Sequence, residues 1–363
     1  MTWKQTFVSE LLKVEYPIIQ APMAGGITTP ELVSAVSEFG ALGSVGAGYL
    51  TSAQLDEQIK EIKARTSKPF NVNLFVPEGK VNYSKEDVHR MSDVLKKMNM
   101  PLEDFSFSHE GNQINYEKQL EVILQNDVPI CSFTFGIPSK EVIVALKREK
   151  RIVIGTATTV EEALLFEEWG ADLVVAQGSE AGGHRGTFKG SAKSDACIGT
   201  MALVPQAADA VGIPIIAAGG IADARGIAAA LILGAEGVQL GTVFIPCLES
   251  GAPAAYKSTI INSNESDTIL TKAFSGKYAR GITNEFIQNM KPYENLLLPY
   301  PVQNEITKPL RSQAAKEHNR DNMSLWAGQG LRMINDSLSA KELLTKLILQ
   351  VNSVTELCLK ERL

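Results

Sequence analysis

Eight short apolar runs, each separated from the next by a stretch with helical periodicity, constrain this 363-residue chain more than any other feature. They are Ile18–Met23, Leu42–Gly46, Phe70–Phe75, Ile130–Phe135, Arg151–Ala157, Leu173–Gln177, Pro214–Ala218 and Gly237–Gly241. Runs that are almost wholly apolar suit strands covered on both faces, as parallel strands are. Eight of them with helices between predict an α/β fold, a (β/α)8 TIM barrel rather than an open sheet. The helix signals agree. Thr29-Pro30-Glu31 offers a cap, a first-turn proline and an acid; Leu32, Val36 and Phe39 line one face, and Gly40 ends it. Thr158-Thr159-Val160-Glu161-Glu162 holds two overlapping capping boxes ahead of Ala163–Trp169.

Two segments exceed a minimal barrel. Residues 76–127 are too long for a strand-to-helix connection and predict an inserted lid or subdomain, with an amphipathic helix (Val88, Met91, Leu95, Met98) and a polar stretch, Glu103–Asn115. Residues 247–335 predict an appended, mostly helical substrate-side domain. Residues 336–363 predict an amphipathic helix (Leu344, Leu347, Val351, Val354) that returns to the barrel, itself residues 1–246. That helix can dock in cis or between subunits, so a homodimer stays open.

Composition narrows the function classes. The net charge is −6 and no basic stripe appears, which argues against nucleic acid. No run of 18 apolar residues exists and no signal-peptide core follows Met1–Gln5, which argues against a membrane. The four cysteines, 131, 197, 247 and 358, lack metal or redox spacing, so reduced thiols in a cytoplasmic protein are expected. With only four histidines (89, 109, 184, 318), no metal site is expected.

The chemistry gathers at the carboxyl ends of the runs. Residues 177–186, Gln-Gly-Ser-Glu-Ala-Gly-Gly-His-Arg-Gly, leave the sixth. Gly182-Gly183 lets backbone come close to a bulky ligand, and His184 stands where an α/β barrel puts its chemistry. A surface histidine on a tight turn has the same local sequence. Gly219-Gly220-Ile221-Ala222-Asp223 and Gln239-Leu240-Gly241-Thr242 end the seventh and eighth runs. Barrels commonly build a phosphate site there from loop amides and a helix N-terminus, to which Thr242 adds a hydroxyl; the same glycines also permit close helix–strand packing. No GxGxxG follows the first run, so a Rossmann site is unsupported. Ala21-Pro22-Met23-Ala24-Gly25-Gly26 instead forms a kinked turn that can lie against a flat ring. Asn73 and Gln177 can bond a pyrimidine-like edge, although Asn73 alone reads equally well as a buried structural amide. Flat ring, polar edge and phosphate tail describe FMN.

With these residues in place, the chain resembles the class I nitronate monooxygenases (2-nitropropane dioxygenases) from about Tyr16 to Gly330. The likeness rests on Gln20-Ala21-Pro22-Met23-Ala24-Gly25, Phe133-Thr134-Phe135-Gly136, the 177–186 stretch, Ala217-Ala218-Gly219-Gly220-Ile221 and Gln239-Leu240-Gly241-Thr242. Phe274-Ser275-Gly276-Lys277, Tyr300-Pro301-Val302-Gln303-Asn304 and Trp326-Ala327-Gly328-Gln329 extend it. The resemblance implies an FMN-binding barrel that oxidises alkyl nitronates, such as propionate 3-nitronate, with O2. The products are a carbonyl compound plus nitrite or nitrate, reached through a flavin semiquinone without nicotinamide. By the same resemblance FMN contacts fall on Asn73, Gln177, Gly182, Gly219 and Gln239 through Thr242, with Met23 beside the flavin, and the active-site histidine is His184. Some relatives carry a second histidine where Thr134 stands here, so no role is assumed for one.

His184 is expected either to donate a hydrogen bond to the nitro group, with charge complementarity when protonated, or to act as base toward neutral nitroalkanes. Arg185 either draws the anion in or forms a solvent-facing salt bridge; Lys308, Tyr300 and Tyr278 are weaker substrate-side candidates. The nearest rival is an FMN-dependent enoyl-acyl-carrier-protein reductase using NADH, whose family shares Glu-Ala-Gly-Gly-His and the Gly-Gly-Ile loop. A barrel that only binds FMN or a phosphorylated metabolite is a third reading, against which the histidine argues.

Overall fold

A computed structural model describes residues 3–79, 81–98, 107–188 and 197–360. Its strands, in chain order, are β1 (Ile18–Gln20), β2 (Gly43–Gly46), β3 (Phe70–Phe75), β4 (Ile130–Thr134), β5 (Ile152–Ala157), β6 (Leu173–Gln177), β7 (Gly183–His184), β8 (Ile215–Ala218), β9 (Gly237–Leu240), β10 (Thr268–Thr271) and β11 (Ala279–Ile282). Eight of these are parallel and run in the order β1-β9-β8-β6-β5-β4-β3-β2. Leu42 N donates to Ile18 O and Gln20 N to Leu42 O, both at 2.9 Å, which joins the two ends and makes a barrel. Each of the eight apolar runs carries one of these strands. The run expected to reach Met23 stops as a strand at Gln20, because Pro22 has no amide to donate.

Local signals set the surrounding helices. Thr29 accepts from Leu32 N, Pro30 takes the first helical position of Pro30–Phe39, and Gly40 closes it at φ +98°. Of the two capping boxes at 158–162, the chain uses Thr159, which accepts from Glu162 N ahead of the helix Val160–Glu168. The Glu162 carboxylate turns elsewhere, to Thr158 N and Oγ1 and to Thr187 Oγ1 and Phe188 N. The terminal helix, Ala340–Lys360, docks in cis against Pro30–Phe39 and Ala224–Ile232, burying Leu344, Leu347 and Val351.

The two extra segments meet each other. Met91, Val94 and Leu95 of the helix Lys85–Lys97 share one apolar core with Ala273, Phe274, Phe286, Ile287, Leu298 and Val302. This second core is separate from that of the barrel. The appended segment is mostly helical, as expected, with the helices Ala254–Ile261, Glu285–Met290 and Lys308–Lys316, but it is not wholly so. Its centre is an antiparallel sheet in the order β10-β11-β7, with Ala279 opposite His184 and Arg280 opposite Gly183. The run Thr268-Ile269-Leu270-Thr271, β-branched at all but Leu270, and the turn glycine Gly276 (φ +81°) carry that hairpin locally. The second part of the polar stretch, residues 109–115, opens a helix over His109–Gln125; residues 103–106 lie outside the described residues.

Candidate active site

The carboxyl ends of the barrel strands open on one cavity. Ala21, Pro22 and Met23 reach it from the turn after β1, Asn73 from β3, and Gln177 with Gly182, Gly183 and His184 from β6 and its loop. Gly219 and Gly220 follow β8, and Gln239, Gly241 and Thr242 lie at the end of β9. Leu240 is the exception among the expected residues. Successive strand residues point to opposite faces; Gln239 takes the cavity side and Leu240, 0 % exposed, packs in the barrel core.

One end of the cavity presents backbone donors from two loops. The amides of Gly220, Ile221, Ala222 and Thr242 meet no acceptor among the described residues. Backbone donors are seldom left so in a folded protein, and several converging donors are what a phosphate uses. The expected helix N-terminus contributes less than the loops, because Asp223 caps its own helix, accepting from Arg225 N (2.9 Å) and Gly226 N (3.2 Å). Thr242 Oγ1 accepts from Gly328 N at 3.0 Å and keeps its own proton to give.

Toward the middle of the cavity the polar groups are partly spent. Asn73 gives its amide hydrogens to Ser132 Oγ (2.9 Å) and Thr134 Oγ1 (3.2 Å), so its Oδ1 is what remains to accept from a ligand N–H. Thr134 Oγ1 also lies 3.4 Å from Thr156 Oγ1. Gln177 holds its own loop: Nε2 donates to His184 O at 3.0 Å and Oε1 accepts from Gly186 N at 2.8 Å.

The two glycines ahead of His184 serve different ends. A Cβ on Gly182 would stand 2.5 Å from Gly328 N and 2.6 Å from Ala327 C, so this glycine lets a second backbone segment cross, not only a ligand. Gly183 has φ +75° and open space where a Cβ would be; it is the position that leaves room in the cavity. His184 follows, its ring 5.7 Å from Phe135, 6.0 Å from Tyr300 and 5.3 Å from Trp326. Phe135 sits at φ +73°, a costly conformation for a bulky residue and one that clusters at functional sites. Lys277 Nζ lies 4.8 Å from the Phe135 ring centre and pairs with Glu78 at 2.5 Å, tying the hairpin to the segment after β3.

Burial, with the cations Lys277 and Arg311 adding to it, pushes His184 down to about 3 from its ordinary 6.5. Burial therefore favours the neutral imidazole in the protein without substrate, the form that can accept a proton. The unfolded chain takes up this proton near 6.5 and the folded one only near 3, so the stability this group contributes is whole above 6.5 and lost as pH falls through that window. His184→Asn is expected to flatten the acid-side fall of the urea midpoint over the same range; parallel curves for the two proteins contradict a neutral histidine.

The charged neighbours have structural work. Arg185 is 4 % exposed and donates to the carbonyls of Gln177 (3.0 Å) and Gly178 (2.6 Å), which makes it neither an anion guide nor a solvent salt bridge. Glu180 takes Thr200 N on both carboxylate oxygens, at 3.0 and 2.9 Å, and so caps the helix Thr200–Ala210, whose own cap residue is Gly199. Lys308 pairs with Glu305 at the surface (3.7 Å), and Lys272 lies over the Tyr278 ring. Of the weaker candidates Tyr300 packs on His184. Ser275, Lys277, Phe135 and Trp326 stand in the sequence inside motifs without roles; long-range pairing, invisible in local pattern, brings them to the histidine.

A sequence model of the nitronate monooxygenase family matches residues 5–350. A probable nitronate monooxygenase of Bacillus subtilis strain 168 is 50% identical over 331 residues, covering 91% of this chain and 94% of that relative. One from Staphylococcus haemolyticus is 46% identical and covers 97% and 98%. The crystal structure of a nitroalkane oxidase from Streptomyces ansochromogenes superposes with a TM-score of 0.87 at 39% identity, over 97% of this chain and 99% of that one. FabK from Thermotoga maritima lies further off, at 0.79 and 30%, over 99% of both chains. With this cavity at the mouth of this barrel, the chain is an enzyme and belongs to the nitronate monooxygenase family.

Proposed function

We propose that the cavity binds FMN and that the enzyme oxidises alkyl nitronates, such as propionate 3-nitronate, with O2. One observation carries the reading: free loop amides at Gly220–Ala222 and Thr242 share a cavity with a neutral histidine held in a positive field. In this reading the phosphate takes those amides, Asn73 Oδ1 takes a ring N–H, and Met23 packs on the ring. Bound FMN supplies the electron transfer and the reaction with O2, which no side chain offers.

The chain's own part is to hold the anion. A nitronate arrives deprotonated, so no base is needed to begin. Lys277 and Arg311 favour a bound anion for the same reason that they disfavour imidazolium. The rings of Phe135, Tyr300 and Trp326 around His184 keep water from that end, which strengthens the attraction.

Flavin released by denaturation tests the cofactor: stoichiometric FMN is expected, and FAD or no flavin rejects it. Oxygen uptake with propionate 3-nitronate tests the activity. Lys277→Met is expected to raise KM for that substrate about tenfold with kcat nearly unchanged, because the lost charge acts on bound substrate and transition state alike. An unchanged KM contradicts the role given to Lys277.

A further inference from the structure

Ser275 lies in the connection between β10 and β11, one turn of chain before Ala279, the residue opposite His184 in the small sheet. Its side chain is 1 % exposed. Its Oγ is 2.8 Å from His184 Nε2, 3.0 Å from the carbonyl oxygen of Lys277 and 3.3 Å from the amide nitrogen of Lys277. A hydroxyl has one proton to give and two lone pairs to receive. The Lys277 carbonyl can only accept and the Lys277 amide can only donate. With the hydroxyl proton on the carbonyl, both lone pairs face donors, and His184 Nε2 has to be one of them. The opposite assignment, hydroxyl to Nε2, leaves that carbonyl without a donor in a partly buried place, at a cost of about 1–3 kcal/mol. The tautomer is thus assigned from the network around Oγ.

We propose that Ser275 is a positioning residue: it holds His184 as the Nε2–H tautomer and reserves the Nδ1 lone pair as the proton acceptor of the cavity. Nδ1 meets no hydrogen-bond donor among the described residues. The substrate this implies is a neutral nitroalkane, and in that respect the proposal rests on the function proposed above. The carbon–hydrogen bond breaks, its electron pair stays on the substrate as the nitronate, and the proton passes to Nδ1. The new anion then lies beside an imidazolium, and each offsets the cost of burying the other. On this account one site prepares its own nitronate when supplied with the protonated form.

The test reads the ring directly. Long-range 1H–15N spectra of the protein as purified, labelled at histidine and with His184 assigned by its loss in His184→Asn, are expected to show Nε2 protonated and Nδ1 bare. A protonated Nδ1 with a bare Nε2 overturns the proposal. Ser275→Ala is expected to mix the two tautomers and to lower kcat/KM for nitroethane about tenfold, with the value for its nitronate within about threefold. Ser275→Thr, which keeps the hydroxyl, restores the tautomer and most of the rate. An unchanged tautomer in Ser275→Ala, or an equal fall on both substrates, shows a merely structural serine. Should the alanine variant not fold, the spectra of the unaltered protein and of Ser275→Thr decide. These spectra need no turnover, so a protein that ignores nitronates yet shows Nε2–H contradicts the functional reading and leaves the positioning role standing.

Discussion

His184→Asn is expected to lower kcat/KM for a neutral nitroalkane by about a hundredfold or more, and for the corresponding nitronate by only about tenfold. The two factors differ because the two substrates ask different things of the ring. From a nitroalkane a proton has to leave carbon, and a positioned base contributes on the order of 10²–10⁴ to such a step. A nitronate has already lost that proton and needs only to be held. Lys277 and Arg311 continue to act on it when the imidazole is gone. Asparagine can keep a hydrogen bond to Ser275 and fills much of the same space, so the comparison is between folded proteins. Steady-state rates with matched nitroalkane and nitronate measure both factors. Equal losses on the two substrates contradict a base, and no loss on either contradicts the site.

Phe274→Ala is expected to destabilise the protein by about 3–5 kcal/mol, the usual cost of emptying a buried aromatic position. For a chain of 363 residues this is a fall in Tm of roughly 4–7 °C. The ring is 0 % exposed, stacks on Phe286 at 4.4 Å and meets Trp326 edge-on at 5.6 Å. Trp326 in turn lies 5.3 Å from His184, and Ser275 is the next residue in the chain. Loss of this one side chain therefore loosens both the wall beside the histidine and the turn that carries its hydroxyl partner. A more than tenfold loss of kcat/KM is expected in the variant that remains folded. A Tm change below roughly 1 °C shows that the second core does not support the site.

How far the sequence reaches depends on how local each cause is. Parallel strands covered on both faces need apolar residues throughout, so Leu173–Gln177 and Ile215–Ala218 are legible as runs. Thr29 with Pro30, and Thr159 with Glu162, act within one turn and are legible for the same reason. Glu180 is not, because the amide that it caps lies 20 residues away at Thr200. Arg185 misleads because a guanidinium suggests solvent, whereas here it is buried and donates to two backbone carbonyls. Gly182 suggests room for a ligand, yet the first thing it admits is the backbone of Ala327 and Gly328. The joint core of Met91 with Phe274 and Phe286 pairs segments nearly two hundred residues apart, and nothing in either amphipathic pattern names its partner.

The same holds for the site. The glycine loops and His184 stand out because their residue types are unusual where they occur. Ser275 and Lys277 are ordinary residues of a turn, and only the pairing of β7 with β11 brings them beside the histidine. Leu240 is expected at the cavity because its neighbours are there; strand alternation turns its side chain into the barrel core.

The absorption spectrum of the purified protein, mixed anaerobically with propionate 3-nitronate and separately with NADH, tests the central claim most directly. An oxidised flavin spectrum that bleaches with the nitronate, stays unchanged with NADH and returns on admission of O2 is the predicted result. Bleaching by NADH with no response to the nitronate contradicts it and favours the enoyl reductase reading; a flavin that answers to neither marks a barrel that only binds.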